Sequence, residues 1–408
     1  MQRQWGKGLL YLLCFGIFVT YLVRYGVTDI IGFSTLGTQV ADPWLGTAGD
    51  DSILMMLRGI LAFMLIVVYG FLHASNIRDV KATEKALEEG KELPSFGKSV
   101  ALFADRKFYI VALALPVAGV MVFQVLPIIF MILIAFTNYG GDIVPPALVD
   151  WVGFDNFARI LALGDIKETF FKILGWNVVW AVLATAINYF GGLGLALLLN
   201  KKCVKGKTFW RAFPILAYAV PGFITLVGFK FMFSYGGPIN YYITQAGGNP
   251  IGFLDIDAGV KAKIIGLAVN AWCSIPTSML LATGILSNMR VDLYDAASID
   301  GANNWQQFTR ITLPFVVFST TPVLITSFIG NFNNFGVFYF LRGGLYNSGY
   351  FLASDTDLLI NWLYNLSIDN NYYGIGAAVS LLIFVITSAI SLTVYVRSNA
   401  YKKEDTFR

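Results

Sequence analysis

Residues 293–314 read LYDAASIDGANNWQQFTRITLP, and this stretch lies between two apolar segments long enough to cross a membrane. Alanines at 296 and 297, a glycine at 301 and polar residues after it predict a short helix, a turn and a second short helix. Asp292 is predicted as the N-cap of the first helix and Asp295 as part of its first turn. Such a compact plug would fit a groove on a partner protein.

Composition identifies the class of protein. The chain has 408 residues, of which 56% are hydrophobic and 13% are charged, whereas a soluble domain is about 45–50% apolar and about 25% charged. The sequence therefore predicts an all-α integral membrane protein. The net charge of +4 is unevenly distributed and does not indicate nucleic-acid binding. The single histidine and the three dispersed cysteines show no metal-ligand spacing.

Eight apolar segments of spanning length are predicted. They fall near 8–24, 53–73, 110–136, 174–199, 209–233, 264–287, 312–340 and 374–396. Basic residues number seven in 74–109, five in 200–211 and four in 397–408, while the alternate connections are acidic or mixed. The positive-inside rule then predicts that both termini and residues 293–314 are cytoplasmic. Residues 1–21 resemble a signal peptide, but no small-residue cleavage site follows, so we expect a retained first helix.

The predicted helices divide into two parts. Residues 1–108 would form a two-helix membrane unit followed by a charged cytoplasmic linker, with 81–98 solvated. Residues 109–408 would form a six-helix core that carries the cytoplasmic segment, about 288–314.

Polar residues form stripes on two predicted spans. Ser327, Asn331 and Asn334 lie at i, i+4 and i+7 of the seventh span, on one helix face. The sixth span repeats this spacing with three further residues: Asn270, Ser274 and Thr277. Because the two helices run in opposite directions, Asn270 and Asn334 should lie at similar depth.

Two interpretations of the stripes stay open. They are either hydrogen bonds between packed helices or a neutral wall of a water-filled cavity that suits an uncharged polyol. In the second case Tyr218, just before Pro221 and Gly222, would offer an aromatic ring to a sugar.

The motifs of an ATP-hydrolysing enzyme are incomplete. Gly97-Lys98-Ser99 and Gly206-Lys207-Thr208 match the end of the nucleotide loop G-x4-G-K-[ST], but Glu92 and Lys201 replace the required first glycine. No catalytic triad or metal set appears either, so we expect no enzymatic activity and no cofactor in this chain. The predicted apolar cores also lack the carboxylates on which proton-driven carriers usually depend.

The pattern D-A-A-x3-G-x9-I-x-L-P resembles the coupling loop of ABC-importer permeases, with Asp295 where that family has glutamate. The runs Ser327–Phe335, Thr356–Asn361 and Tyr218–Pro221 further resemble the maltose/maltodextrin (MalF-type) family. This resemblance implies a type I ABC importer permease fold in a bacterial cell membrane. It implies contacts to an ATPase from these residues: Asp295, Ala296, Ala297, Gly301, Leu313 and Pro314.

The same resemblance implies sugar contacts and partners. The matching sugar-binding positions are Tyr218, Asn270, Ser327, Asn331 and Asn334, whereas Gly222, Cys273, Ser274, Thr277 and Gly330 differ from the better-known relatives. The partners would be a second, MalG-like permease subunit, two ATPase subunits that use ATP and Mg²⁺, an extracytoplasmic sugar-binding protein and the surrounding lipid. The expected activity is import of maltose or maltodextrin by alternating access.

Four alternatives stay open. They are a permease for another neutral oligosaccharide, a glycerol-phosphate permease, an ATPase-independent secondary carrier and a membrane enzyme. A phosphate substrate would need basic residues facing the cavity, and the sequence pattern indicates none.

Overall fold

The computed structural model describes residues 5–41, 44, 46–91, 97, 98, 101, 105, 108–162, 164–201 and 203–397. The described residues are mostly helical and form no β-strand, only isolated bridges between Thr137 and Trp151 and between Gly140 and Ile143. The predicted all-α class is confirmed.

The helices have the following bounds in chain order: α1 Trp5–Thr35, α2 Ser52–Glu88, α3 Phe108–Ile134, α4 Asp155–Ala162, α5 Gly164–Asn200, α6 Lys207–Ala219, α7 Gly222–Met232, α8 Pro238–Gln245, α9 Val260–Ser287, α10 Val291–Ile299, α11 Asn304–Gln307, α12 Leu313–Phe332, α13 Gly336–Arg342, α14 Leu359–Tyr364 and α15 Tyr373–Arg397. A π-helical turn, Phe308–Thr312, joins α11 directly to α12.

Among the described residues, seven helical stretches are long and apolar enough to cross a membrane, and the bent pair α6 and α7 makes an eighth if the two helices form one span. These two helices meet at 90°. The bend follows from Pro221, which lacks a backbone N–H and directs Val220 into the extended region, with ψ at 131°. Seven of the predicted spans and the predicted break at Pro221 are confirmed, and the bent pair corresponds to the predicted span near 209–233.

Several helices extend beyond their predicted ends. α2 continues to Glu88, so residues 81–88 of the predicted solvated linker are helical. Alanine, leucine, lysine and glutamate dominate these residues, and all four favour helix. The predicted seventh span is interrupted at residues 333–335, between α12 and α13. The predicted cytoplasmic charges at 92–96, 106, 107, 202 and 398–408 lie outside the described residues.

Contacts divide the chain into two units, the first of which comprises residues 1–156 and 371–378. In this unit, α1 packs on α2, and the rings of Phe18 and Tyr69 stack with centroids 3.9 Å apart. The connection 137–152 is tied to these helices, since the Val149 amide donates to Ser52 Oγ at 3.0 Å and Trp151 Nε1 donates to the Phe33 carbonyl at 3.3 Å. The functional division at residue 108 stays a prediction.

The second unit comprises residues 157–370 and 379–408. Its centre is α5, against which α9 and α12 pack. The buried core includes Trp180, Val269, Phe338 and Leu358. At Gly192 the backbone of α5 approaches α9 so closely that a Cβ would lie 2.7 Å from the Met279 amide nitrogen. This unit holds every residue predicted from the sequence to bind sugar or an ATPase.

Candidate functional site

The segment between α9 and α12 has the predicted order of helix, glycine turn and second helix. α10 spans Val291–Ile299, so its N-cap is Arg290 and the predicted N-cap, Asp292, lies inside the first turn. The prediction was wrong because the helix begins two residues earlier than a cap at Asp292 requires. Asp292 instead pairs with Arg290 at 3.1 Å. Asp295, predicted in the first turn, is the fifth helical residue and follows that turn.

Gly301 ends the first helix in a left-handed turn. Its φ is +79°, a region that glycine adopts without steric cost. The Gly301 amide donates to the Ser298 carbonyl at 3.1 Å, and the Ala302 amide donates to the Ala297 carbonyl at 2.9 Å. This pair of bonds is the Schellman arrangement, which satisfies carbonyls that the helix end leaves free.

Side-chain bonds hold the two short helices together. Asn303 caps α11 by accepting from the Gln306 amide at 2.9 Å, and Gln306 Oε1 accepts from the Asn303 amide at 2.8 Å. Gln307 Nε2 donates to Ser298 Oγ on α10 at 2.9 Å. The turn at Gly301 is therefore braced by the cap of α11 and by a bond between the two helices.

The outer surface of this segment is exposed and partly apolar. Of the predicted ATPase-coupling residues, Asp295, Ala296, Gly301 and Pro314 are exposed, whereas Ala297 and Leu313 are partly buried. Sequence reasoning missed Ile299 and Trp305, which are 87% and 70% exposed. Large apolar side chains on a braced, exposed segment indicate a protein-binding surface. The sequence signal for this surface was the presence of two large apolar residues within four positions of Gly301.

The two predicted polar stripes meet at the interruption between α12 and α13. Asn334 Nδ2 donates to Asn270 Oδ1 at 3.4 Å, and Asn334 Oδ1 accepts from the Val337 amide at 3.1 Å. The predicted similar depth of Asn270 and Asn334 is confirmed. Asn270 is only 4% exposed, and its Nδ2 has no hydrogen-bond partner among the described residues. That buried donor is available to a water or a hydroxyl group.

The remaining stripe residues differ in exposure. Asn331 is buried, and its Nδ2 donates to Thr185 Oγ1 on α5 at 3.0 Å. Ser274 and Asn334 are half-buried, whereas Thr277 and Ser327 are exposed. Both interpretations therefore apply to the stripes, but to different residues. Asn331 bonds to a neighbouring helix, whereas Thr277 and Ser327 offer accessible hydroxyl groups.

Tyr218 lies near the end of α6, two residues before the 90° break. Its side chain is 60% exposed, so its ring face is free for contact. The structure gives it no hydrogen bond or ring contact among the described residues, and it is not brought into direct contact with the asparagines of the stripes.

The sequence interpretation missed Arg342, the last residue of α13, whose side chain is fully buried. It donates to Asp355 Oδ1 at 2.8 Å, to Thr356 Oγ1 at 2.7 Å and to three carbonyls of the connection before α9: Leu254 at 3.2 Å, Asp255 at 2.8 Å and Ile256 at 3.1 Å. All three guanidinium nitrogens are occupied. The sequence does contain a signal for this ion pair: a basic residue directly before Gly343 and Gly344, followed by aspartates at 355 and 357.

Asp357 is the second buried ionisable group of this region and lies in the connection between α13 and α14. It accepts from the Ser354 amide at 2.9 Å, from Ser354 Oγ at 3.0 Å and from Asn365 Nδ2 at 3.0 Å. Burial raises the pKa of its carboxyl to about 6, although these hydrogen bonds and Arg342 act in the opposite direction.

Comparisons with known proteins concern the family and the fold of the chain. A family model described as "binding-protein-dependent transport system inner membrane component" matches residues 189–400. The maltodextrin transport system permease protein MdxF of Bacillus subtilis (strain 168) is 34% identical over 99% of this chain and 93% of its own length. The galactooligosaccharides transport system permease protein GanP of the same organism is 32% identical, over 99% and 95%.

A solved structure shares the fold. It is a crystal structure of a bacterial ABC transporter involved in the import of the acidic polysaccharide alginate. It superimposes with a TM-score of 0.58 at 21% identity and covers 72% of this chain and 95% of the matched chain. The ABC-importer permease fold and the resemblance to maltodextrin permeases, both expected from the sequence, are confirmed. The chain belongs to the family of inner membrane components of binding-protein-dependent transport systems.

Proposed function

We propose that this chain is a membrane subunit of an ABC importer that moves maltodextrin or maltose across the bacterial cell membrane. The observation that carries the proposal is the full-length similarity to a maltodextrin permease. The uncharged amides at the α12–α13 interruption support it, since amides and hydroxyls can exchange hydrogen bonds with sugar hydroxyls without a charge to compensate.

The partners we propose are a second, MalG-like permease subunit, two ATPase subunits and an external sugar-binding protein. ATP and Mg²⁺ would be used by the ATPase subunits. The braced segment from α10 to α12 would dock on an ATPase through its exposed face, with Asp295, Ala296 and Gly301 at the contact. Both chain termini and this segment would face the cytoplasm.

The mechanism we propose is alternating access. ATP binding would close the ATPase dimer and displace α10 and α11 together, because Gln307 on α11 donates to Ser298 on α10. Since the π-turn Phe308–Thr312 continues directly into α12, the displacement would reach Ser327, Asn331 and Asn334. Sugar released by the binding protein would then contact these residues together with Asn270, Ser274, Thr277 and Tyr218.

A phosphorylated substrate is disfavoured by Arg342. Its guanidinium group is buried and donates to five acceptors of its own chain, so no donor is left for a phosphate. An ATPase-independent carrier is disfavoured by membership of a family whose transport depends on a binding protein.

A second candidate substrate is a galacto-oligosaccharide, which the similarity to GanP supports over the same length of chain. Both candidates are neutral sugars that present many hydroxyls, so the same uncharged groups would serve either one. The two differ in ring stereochemistry and linkage, and therefore in the positions of the hydroxyls that the amides would meet.

The test is to reconstitute the full chain with its second permease, its ATPase subunits and its binding protein, and to measure ATPase activity with a panel of sugars. We expect stimulation by maltose or by longer α-glucans and uptake into proteoliposomes. Stimulation by galacto-oligosaccharides alone would select the second candidate. Uptake by the chain without ATPase subunits would contradict the proposed mechanism.

A further inference from the structure

The interruption between α12 and α13 releases backbone groups from their helical bonds. In an uninterrupted helix, the carbonyls of Asn331 and Phe332 would accept from the amides four residues later. Residues 333–335 leave the helical path, so neither i+4 bond is made. The Asn331 carbonyl accepts instead from the Asn334 amide, three residues later, at 3.2 Å. A backbone carbonyl that loses its helical bond within a membrane protein needs another donor.

Two side chains of α5 donate to these released carbonyls. Trp180 Nε1 donates to the Asn331 carbonyl at 3.0 Å, and Asn177 Nδ2 donates to the Phe332 carbonyl at 3.0 Å. Trp180 and Asn177 are both completely buried. The last turn of α12 is therefore attached to α5 immediately before the interruption.

A third side chain acts from the other side of the interruption. Asn361, on α14, donates from Nδ2 to the Phe335 carbonyl at 2.8 Å, and its Oδ1 accepts from the Leu358 amide at 3.2 Å. Asn177 Oδ1 accepts from the Leu359 amide at 2.8 Å. The run Thr356–Asn361 carries part of the family resemblance. Its Leu358, Leu359 and Asn361 also take part in bonds that support the helix interruption.

The three bonded carbonyls belong to Asn331 itself, to its neighbour Phe332, and to Phe335, which follows Asn334. The bond to the Asn331 carbonyl acts on a peptide that flanks Asn331, and the other two bonds act on peptides one residue beyond Asn331 and Asn334. A side-chain amide at the end of a short, irregular stretch keeps a fixed direction only if the peptides on both sides are held.

We propose that Asn177, Trp180 and Asn361 are positioning residues for the transported sugar: they hold the interruption in the shape that directs the Asn331 and Asn334 amides. This inference rests on the proposed function, since it names the residues that act behind the proposed sugar contacts. The three residues need not touch the sugar.

The test uses Asn177→Leu, Asn361→Leu and Trp180→Phe in the full reconstituted importer, with ATPase activity measured against maltose and a series of longer α-glucans. The sugar concentration for half-maximal stimulation should rise by about fivefold or more, as expected for one lost hydrogen bond. The preference among chain lengths should also change, because a misdirected amide meets different hydroxyls. Basal ATPase activity should stay at the wild-type level.

Asn240→Leu is the matched control. Asn240 is also buried in the second unit, donates to the carbonyls of Ser234 and Ile251 at 3.1 and 2.9 Å, and accepts from the Ile251 amide at 2.7 Å. Its loss should lower the melting temperature of the complex at least as much, yet leave the half-maximal concentration and the length preference unchanged. A length preference that moves equally in the control would overturn the inference.

Two further outcomes are decisive. If a leucine variant fails to assemble, Trp180→Phe decides, because it removes one N–H donor and keeps an aromatic ring in the core. An unchanged sugar response in assembled Trp180→Phe would then overturn the inference. If the wild-type importer responds to none of the sugars, the proposed function fails instead, and the two failures are thereby distinguished.

Discussion

The hydroxyl group of Tyr294 on α10 lies 2.9 Å from Oγ1 of Thr312. This hydrogen bond joins α10 to the residue that directly precedes α12. The same hydroxyl lies 3.3 Å from the sulfur of Met289, before α10. Thr312 is buried, whereas α10 is largely exposed. This bond therefore connects the surface proposed to meet an ATPase with the first buried residue on the way to the polar stripes.

Tyr294→Phe removes this connection and keeps the ring. We expect sugar-stimulated ATPase activity to fall by about fivefold, the effect of roughly one hydrogen bond, while basal activity is retained. Adding Thr312→Val should cause little further loss, since both substitutions remove the same bond. Tyr242→Phe, on an exposed tyrosine of α8, is the control. Wild-type stimulation in Tyr294→Phe would contradict transmission through this bond.

Gly301→Pro should abolish sugar-stimulated ATPase activity while the importer still assembles. Proline is restricted to φ near −65° and cannot adopt the +79° of this turn. Gly301→Asn should stay close to wild type, because asparagine tolerates the left-handed region and a Cβ here would meet open space. Assembly is checked by co-purification of the ATPase subunits. Normal stimulation in the proline variant would argue against docking at this turn.

Asn334→Leu tests whether the polar stripes contact sugar. It removes both the bond to Asn270 and the bond to the Val337 amide. We expect the sugar concentration for half-maximal uptake to rise about tenfold, with basal ATPase activity kept. Tyr189→Phe, which removes the bond between Tyr189 Oη on α5 and Thr320 Oγ1 on α12, controls for the loss of an interhelical bond. Equal uptake in wild type and Asn334→Leu would favour helix packing as the sole role.

Gly192→Ala should destabilise the second unit, because its Cβ would lie 2.7 Å from the Met279 nitrogen of α9. The cost of such overpacking is about 1–3 kcal/mol, measurable as a lower melting temperature of the purified importer. Gly194→Ala is the control two residues later, where a Cβ meets no atom within 4 Å. It should be neutral or slightly stabilising. Equal melting temperatures for both variants would contradict close packing at Gly192.

Asp357 predicts a pH dependence of stability with a defined sign. Its pKa is raised to about 6, compared with about 3.9 in an unfolded chain. Below pH 4 the carboxyl is protonated in both states, and above pH 6 it is ionised in both. Between these values the folded state holds the extra proton, so stability falls as pH rises, by on the order of 3 kcal/mol in total.

The measurement for Asp357 is the melting temperature of wild type and Asp357→Asn at a series of pH values. The side chain of the asparagine variant stays neutral at every pH. The melting temperature of this variant minus that of wild type should therefore increase from pH 4 to pH 6 and then stay constant. A difference that does not vary with pH would show that this carboxyl does not change its ionisation on unfolding.

The seven confirmed spans, the break at Pro221 and the turn at Gly301 could be predicted because each depends on a local property. Hydropathy determines the spans, the missing N–H of proline determines the break, and glycine permits the positive φ. The prediction of Asp292 as a cap failed because a cap depends on the residue at which the helix begins, and sequence patterns leave helix ends uncertain by a few residues.

The supports of the polar stripes could not be predicted from periodicity. Asn177 and Trp180 bond to carbonyls about 150 residues later in the chain, and Arg342 bonds to carbonyls near residue 255. These pairings depend on how the helices pack. Every residue has a backbone carbonyl, so the sequence does not show which carbonyls accept these bonds. The stripes themselves were visible, since they repeat within single helices.

The guanidinium group of Arg342 is fully hydrogen-bonded, and this affects how the transport step responds to a membrane voltage. Its positive charge is fixed among acceptors of its own chain, and the described groups at the helix interruption are neutral amides and hydroxyls. A neutral sugar passing them would carry no net charge through the bilayer. A transmembrane voltage of 100 mV, worth about 2.3 kcal/mol for each elementary charge moved, would therefore perform no work on that step.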